Sequence, residues 1–233
     1  MAEGATREPG VILSFDDAFV ADWLAAMPLF ERYKAHVTFF ISHFERLTPE
    51  QIDGLHRIER AGHAIECHGL RHERAATYCR EHSLEQWLEC EVQPAVAWMR
   101  QEGFEPTAFA YPCSENDDQT DRALLGVFRH IRTNRGPEEG QSLAAFDPVF
   151  APADRIADRG CIIAKRIDRT GPEELPEIEA ALERAAARRE CVAFNSHNIS
   201  DMPQRNYVTP WAVEAILHQS RELGLAFHTV RDL

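Results

Sequence analysis

The chain has 233 residues, 44% hydrophobic and 27% charged, with a formal net charge of −13 at pH 7. That composition belongs to a globular protein rather than a disordered one, and the length suits a single α/β barrel domain over 1–233, with a flexible N-terminus over 1–9. The acidic balance excludes the basic surface that nucleic acids and anionic membranes require, and it favours a neutral or cationic ligand.

The first ten residues, MAEGATREPG, carry no secretory pattern, and no apolar run reaches the length of a membrane span. The six cysteines show no C-x-x-C and no framework spacing, which fits free thiols in a reducing cytoplasm.

The chain alternates β-rich apolar runs with helical patterns. Val11 to Phe15 reads as a buried strand, Asp22 to Tyr33 as an amphipathic helix and His36 to Ile41 as a second strand. Thr48-Pro49-Glu50-Gln51 opens a helix with a capping Thr, Pro at its first position and Gln three residues after the cap, and Gly62 ends it. His63 to His68 reads as a strand, and Ser83-x-x-Gln86 starts a helix that runs to Gly103. A strand over Thr107 to Tyr111, a helix over Asp121 to Phe128 and a weaker strand over His130 to Thr133 follow. Asn134 to Gly160 is loop-like. Strands over Cys161 to Ile167, Cys191 to Ser196 and Leu225 to Val230 then alternate with helices over Pro172 to Arg189 and from Thr209 to Gly224. Seven or eight such units predict an α/β fold of mostly parallel strands, an incomplete or distorted (β/α)7-8 barrel, with an open doubly wound sheet as the alternative.

In a barrel of this kind chemistry gathers at the C-terminal strand ends, where the loops converge. Asp16 and Asp17 end the first strand, His68 the third, Tyr111 the fourth and His197 a late one. Each has a plain structural reading alone: a solvated turn, a capping histidine, a strand terminator. Among 11 histidines, roughly half of one His-x-x-x-His pair is expected by chance. Set on a helical turn, the spacing of His68 and His72 puts both imidazoles on one face, close enough to share a metal, and Gly69 allows a tight departure from the strand. Strand alternation directs Asp16 and Asp17 to different tasks, one to a metal and one to a nucleophilic water. Tyr111, before Pro112, offers a backbone N–H or side chain to a developing oxyanion, and His197 is a candidate proton donor. Cys67 reads as a buried thiol pointing away from His68.

As an ordered set these residues resemble the polysaccharide deacetylase family, the carbohydrate esterases of family four. Ser14-Phe15-Asp16-Asp17 is similar to that family's T-F-D-D motif. Gly62-His63-x-Ile65-x-x-His68-x-x-x-His72 is similar to its histidine motif, Phe109-Ala110-Tyr111-Pro112 to its third, and Asn195-Ser196-His197 to its late strand ending in His. The resemblance implies an incomplete barrel and one divalent metal, usually zinc (cobalt, nickel, manganese and iron being the alternatives), held by Asp17, His68 and His72. It implies Asp16 as general base, His197 as general acid and the Tyr111 N–H as an oxyanion donor, acting on an N-acetylated sugar. Ala18 departs from the family's Gly, Gly69 from its Ser or Thr, and Ala110 lies where many members carry an Arg that orients the base. Arg132 or Arg135 is the alternative source of that group, and no fourth motif is legible between Asn134 and Gly160. The competing readings are a small-molecule amidase on the same fold and a non-catalytic metal- or sugar-binding module.

Overall fold

A computed structural model describes residues 7–203 and 205–233. The first strand, β1 (Gly10–Asp17), is the apolar run expected, extended to include both aspartates. Helix α1 (Val20–Tyr33) returns the chain to β2 (Thr38–Ile41), and α2 (Pro49–Arg60) leads to β3 (Ala64–Cys67). The start of α2 closes a full capping box, Thr48 and Gln51 each accepting the other's backbone N–H.

After β3 comes a short helix the sequence pattern does not announce, α3 (Ala75–Glu81). The long helix that follows has three segments, α4 (Leu84–Trp87), a π turn over Leu88–Val92, and α5 (Gln93–Gln101). Pro94 accounts for the π turn, because it cannot donate to the preceding turn and its ring displaces that carbonyl. Next come β4 (Ala108–Ala110), α6 (Asp118–Leu124) and β5 (His130–Asn134). The stretch expected to be loop contains β6 (Phe150–Pro152), which lies antiparallel to a later strand. The chain continues through β7 (Cys161–Arg166), α7 (Leu175–Arg188) and β8 (Glu190–Ser196). It ends with the short pair β9 (Asn198–Ile199) and β10 (Tyr207–Val208), then α8 (Pro210–Glu222) and β11 (Ala226–Phe227).

Strands β1, β2, β3, β4, β5, β7 and β8 pair in that order, all parallel, and β8 pairs back onto β1, so the sheet closes into a seven-stranded barrel. Strand β2 covers only the second half of β1 (Ser14 to Asp17), and β11 occupies the edge beside Gly10 and Val11. Of the nine N-terminal residues expected to be flexible, 1–6 lie outside the described residues. Residues 7–9 run beside the C-terminal segment, where Pro9 O accepts from Ala226 N and Arg7 bonds to Asp232 O.

The period-2 alternation of each strand sorts its side chains between two cores. Val11, Leu13 and Phe15 face the helices and join Trp23, Phe30 and Phe39 in the larger core. The other parity fills the barrel with one Phe and mostly small residues: Ile12, Phe40, Ala108, Ala110, Ala164 and Ala193. At the C-terminal ends the same inward parity reaches Asp16, His68, Arg132 and Asn195, all buried. The polar layer is thus a continuation of the barrel's packing. Among the described residues no helix is long and apolar enough to cross a membrane.

Candidate metal centre and active site

Asp17, His68 and His72 converge. Asp17 Oδ1 lies 3.9 Å from His68 Nε2 and 3.6 Å from His72 Nε2. Ligand atoms of the three lie within 4.8 Å of one another. These gaps exceed hydrogen-bond length but approach the spacing of about 3.4 Å between neighbouring ligands on a tetrahedral ion with bonds of ~2.1 Å. One carboxylate oxygen and two imidazole nitrogens are also the donor set that zinc and its neighbours take. The three residues therefore fit a divalent ion.

Each ligand is aimed by its surroundings. His68 Nδ1 donates to Ala110 O at 2.8 Å, which leaves the Nε2 lone pair facing Asp17. Burial pushes its pKa down and keeps the ring neutral. Asp17 has φ +83, a conformation that L-residues avoid, and Ser42 Oγ donates to its Oδ1 at 3.5 Å.

His72 corrects a sequence-based expectation. The His68–His72 spacing is not set by a helical turn: residues 68–74 form a loop, with Gly69 at φ +79 and His72 at φ +63. That loop is fastened by Glu91, a buried residue of the π turn. Its carboxylate accepts from Arg71 N at 2.8 Å and Glu73 N at 3.0 Å, and its backbone O accepts from Leu70 N at 3.1 Å. A Cβ on Gly69 would sit 2.3 Å from Glu91 Oε1, so glycine is required for contact as well as for φ.

Asp16 faces the same cavity and is fully enclosed. Arg132 donates to its Oδ1, and Asn195 Nδ2 to its Oδ2 at 3.2 Å. Burial alone would raise its pKa, but the charge of Arg132, together with its hydrogen bond and the nearby His197, outweighs burial and holds the carboxyl below its ordinary range. Of the two arginines suggested by the sequence, Arg132 is the one at the site, and it pairs directly with Ala110 in the β4–β5 ladder. The small Ala110 leaves the barrel interior open to a guanidinium from the neighbouring strand. Arg135 lines a separate surface cleft with Asp117, Asp118 and Asp121.

His197 follows β8 and donates from Nδ1 to Asp168 Oδ2 at 2.8 Å, while Ser196 Oγ donates to Asp168 Oδ1 at 2.6 Å. Burial works to lower the His197 pKa, but the hydrogen bond to Asp168 and the charges of Asp16, Asp168 and Asp17 outweigh it and raise it.

Sequence reasoning did not single out Asp168. It stands just past β7, a strand-end carboxylate like Asp16 and Asp17, so the same placement rule marks it. Its partners, however, are 28 and 29 residues away. Glu91 carried no sequence signal, being one acid on a charged helix.

Tyr111 is corrected as the oxyanion donor. Its N–H donates to Arg132 O at 2.9 Å, because the β4–β5 ladder runs one residue past Ala110. Its ring is buried, stacked on Trp87 at 6.4 Å and edge-on to Phe109 at 5.6 Å. Cys67 is buried as expected, and burial pushes its thiol up to about 12, well clear of ligand chemistry.

Asp16, Asp17, His68, His72, Asp168 and His197 all open onto one cavity of about 560 Å³ at the C-terminal mouth of the barrel. A closed parallel barrel with a cluster of carboxylates and imidazoles at that mouth defines a hydrolase-like α/β barrel with a candidate metal site. The family model described as polysaccharide deacetylase matches residues 3–126, and the chain belongs to that family. No curated protein matches it. Similar solved structures include a CE4 esterase from Streptococcus mutans (16% identity, covering 96% of this chain and 87% of that one, TM-score 0.61). Others are the catalytic domain of a peptidoglycan N-acetylglucosamine deacetylase from Eubacterium rectale (14%, 98% and 93%, TM-score 0.57) and a chitin deacetylase from Colletotrichum lindemuthianum (16%, 97% and 87%, TM-score 0.55). At these identities the likeness is one of fold.

Proposed function

We propose that the protein is a metal-dependent N-deacetylase that releases acetate from an N-acetylated sugar. The observation that carries this reading is a pair of oppositely prepared proton carriers on one cavity wall, Asp16 held ionised and His197 held toward its protonated form. An amide is hard to hydrolyse because the attacking water must lose a proton while the departing amine must gain one.

Asp17, His68 and His72 would hold the divalent ion, zinc being favoured by the donor set, and when bound it supplies Lewis acidity to the amide carbonyl and its water. Asp16 accepts the proton of the attacking water. Arg132 and Asn195 fix both its oxygens, so the base is oriented before substrate arrives. His197 donates its proton to the amine nitrogen as the C–N bond breaks. Asp168 fixes the ring through Nδ1, leaves Nε2 to the substrate, and stabilises the imidazolium. The base-positioning role is thus assigned to Arg132, from the strand beside the one where the family usually carries its Arg.

The test is acetate release from a panel of N-acetylated sugars by protein stripped with chelator and reloaded with Zn, Co, Ni or Mn. We expect turnover only after loading, and loss of both bound metal and turnover in His68→Ala. Undiminished turnover by metal-free His68→Ala protein would overturn the reading.

A further inference from the structure

Four arginines, Arg74, Arg166, Arg169 and Arg205, line the same cavity as the acid, the base and the metal ligands, and all four are exposed at its mouth. This reverses the expectation from the formal net charge of −13: the chain is acidic overall, but its mouth is cationic.

The cavity's own carboxylates are engaged elsewhere. Asp16 is held by Arg132 and Asn195, Asp17 faces two histidines, and Asp168 is held by His197 and Ser196. Arg166 reaches only to 3.9 Å from Asp168 Oδ2, the oxygen already bonded to His197. Arg169 donates from Nε at 2.9 Å and Nη2 at 2.6 Å to the carbonyl of Arg205, which orients its guanidinium without neutralising it. Arg74 is 3.7 Å from Glu115, whose other oxygen is taken by Thr77.

A second cleft of about 400 Å³ adjoins the first and shares Arg166, Asp168 and Arg169 with it. Lys165 joins it, and Leu143, Ile167 and Ile178 also line it. Its acids include Glu174 and Glu177, which accept from Gly171 N and Leu143 N, and Glu173. Arg166 and Arg169 therefore stand at the junction of the two clefts. Among the described lining residues of the first cavity, Tyr111 is the only Phe, Tyr or Trp, and its ring is buried, so no aromatic face is offered to a neutral sugar.

We infer that the substrate is an N-acetylated sugar bearing an anionic substituent, a phosphate or a carboxylate, which is seated on Arg166 and Arg169 while the acetamide lies at the metal centre. This rests on the deacetylase reading and adds the substrate's charge class. Guanidinium groups pair with both anions in fork geometry, and a cationic mouth concentrates anions before contact.

Three matched compounds test it: N-acetylglucosamine, its 1-phosphate, and N-acetylmuramic acid, which carries a carboxylate. Acetate release gives kcat/KM for each, and calorimetry gives binding without turnover. We expect at least one charged compound to exceed the neutral one by about tenfold or more in both measurements. In the double variant Arg166→Gln/Arg169→Gln, the charged-to-neutral ratio falls by about tenfold. Reading the ratio removes any shared effect on His197. Preference for the phosphate or the carboxylate identifies the source of the anion. Equal affinity and kcat/KM for neutral and charged compounds, or a ratio unchanged in the double variant, would overturn the anion site and leave deacetylation standing. Tighter binding of a charged compound, lost in the double variant, with no acetate released from any, would uphold the anion site and overturn deacetylation.

Discussion

Asp168 has a measurable signature. A histidine whose pKa is raised by a carboxylate partner stays protonated, and able to donate, further into the basic range. In Asp168→Asn the amide oxygen still accepts from Nδ1, but the charge is gone. We expect the basic limb of the kcat/KM profile to move to lower pH, and kcat to fall; a limb that stays in place would remove His197 as the acid. The same pair contributes stability that is full below the unfolded-state pKa of about 6.5 and is lost as pH rises through the higher folded-state value. The substitution is therefore more destabilising at pH 6 than at pH 9 in urea titrations. Arg132 is coupled more severely. Arg132→Met leaves Asp16 buried and unpaired, at about 3–5 kcal/mol, and adding Asp16→Asn recovers much of that stability without restoring activity. Denaturation of the two single variants and the double variant checks this. Asp17, His68, His72 and His197 were legible in the sequence because each stands at a strand end or in a fixed motif. Arg132 was legible only as one of two alternatives, because its partner Asp16 is 116 residues away and the pairing depends on closure of the barrel.

The loop from His68 to Arg74 shows why spacing alone misleads at the level of elements. Four residues separate two imidazoles equally well on a helix or in a loop, and the loop is selected by Gly69, by the positive φ of His72 and by the carboxylate of Glu91. Glu91 is available because the π turn before α5 re-aims that stretch of helix, a consequence of Pro94 that no periodicity displays. Glu91→Gln keeps one acceptor and loses the other, so one of the two loop N–H groups is orphaned. We expect metal affinity to drop about 10–100-fold, as for other groups that orient ligands, measured by competition with a chromogenic chelator. Gly69→Ala should lower it at least as far, since the new Cβ displaces Glu91 as well as straining the backbone. Helices α2 and α8 were announced by explicit caps at Thr48 and Thr209, and α1 and α7 by their length and pattern without a side-chain cap, whereas α3, only seven residues long and uncapped, was not foreseen.

At the scale of the molecule, acid sensitivity is set partly far from the active site. His63 precedes β3, and its Nδ1 accepts from Val37 N at 3.1 Å, joining the approaches to β2 and β3. Burial pushes its pKa down to about 4. The unfolded chain takes up the proton near pH 6.5 and the folded one only near 4, so stability declines as pH falls through that window. Urea midpoints between pH 7 and 4 should show the slope in the wild type and less of it in His63→Gln. The barrel itself was legible from the alternation of strands and helices. What the pattern did not display was β6 along β8, too short for a hydrophobic period, and the strand expected over Leu225 to Val230 is present only as the two-residue β11 beside the start of β1.

Closure of β8 onto β1 also orders events in time. Asp17, His68 and His72 have all left the ribosome once residue 72 is free, whereas His197 follows 125 residues later (197 − 72). Asn195, which donates to Asp16, is 179 residues from it. At ~5–20 residues per second, that separation is on the order of ten seconds or more. Throughout that interval β1 has one edge unpaired, a surface that other strands and chaperones can engage. The residues proposed to hold the ion are thus synthesised well before His197, the proposed proton donor.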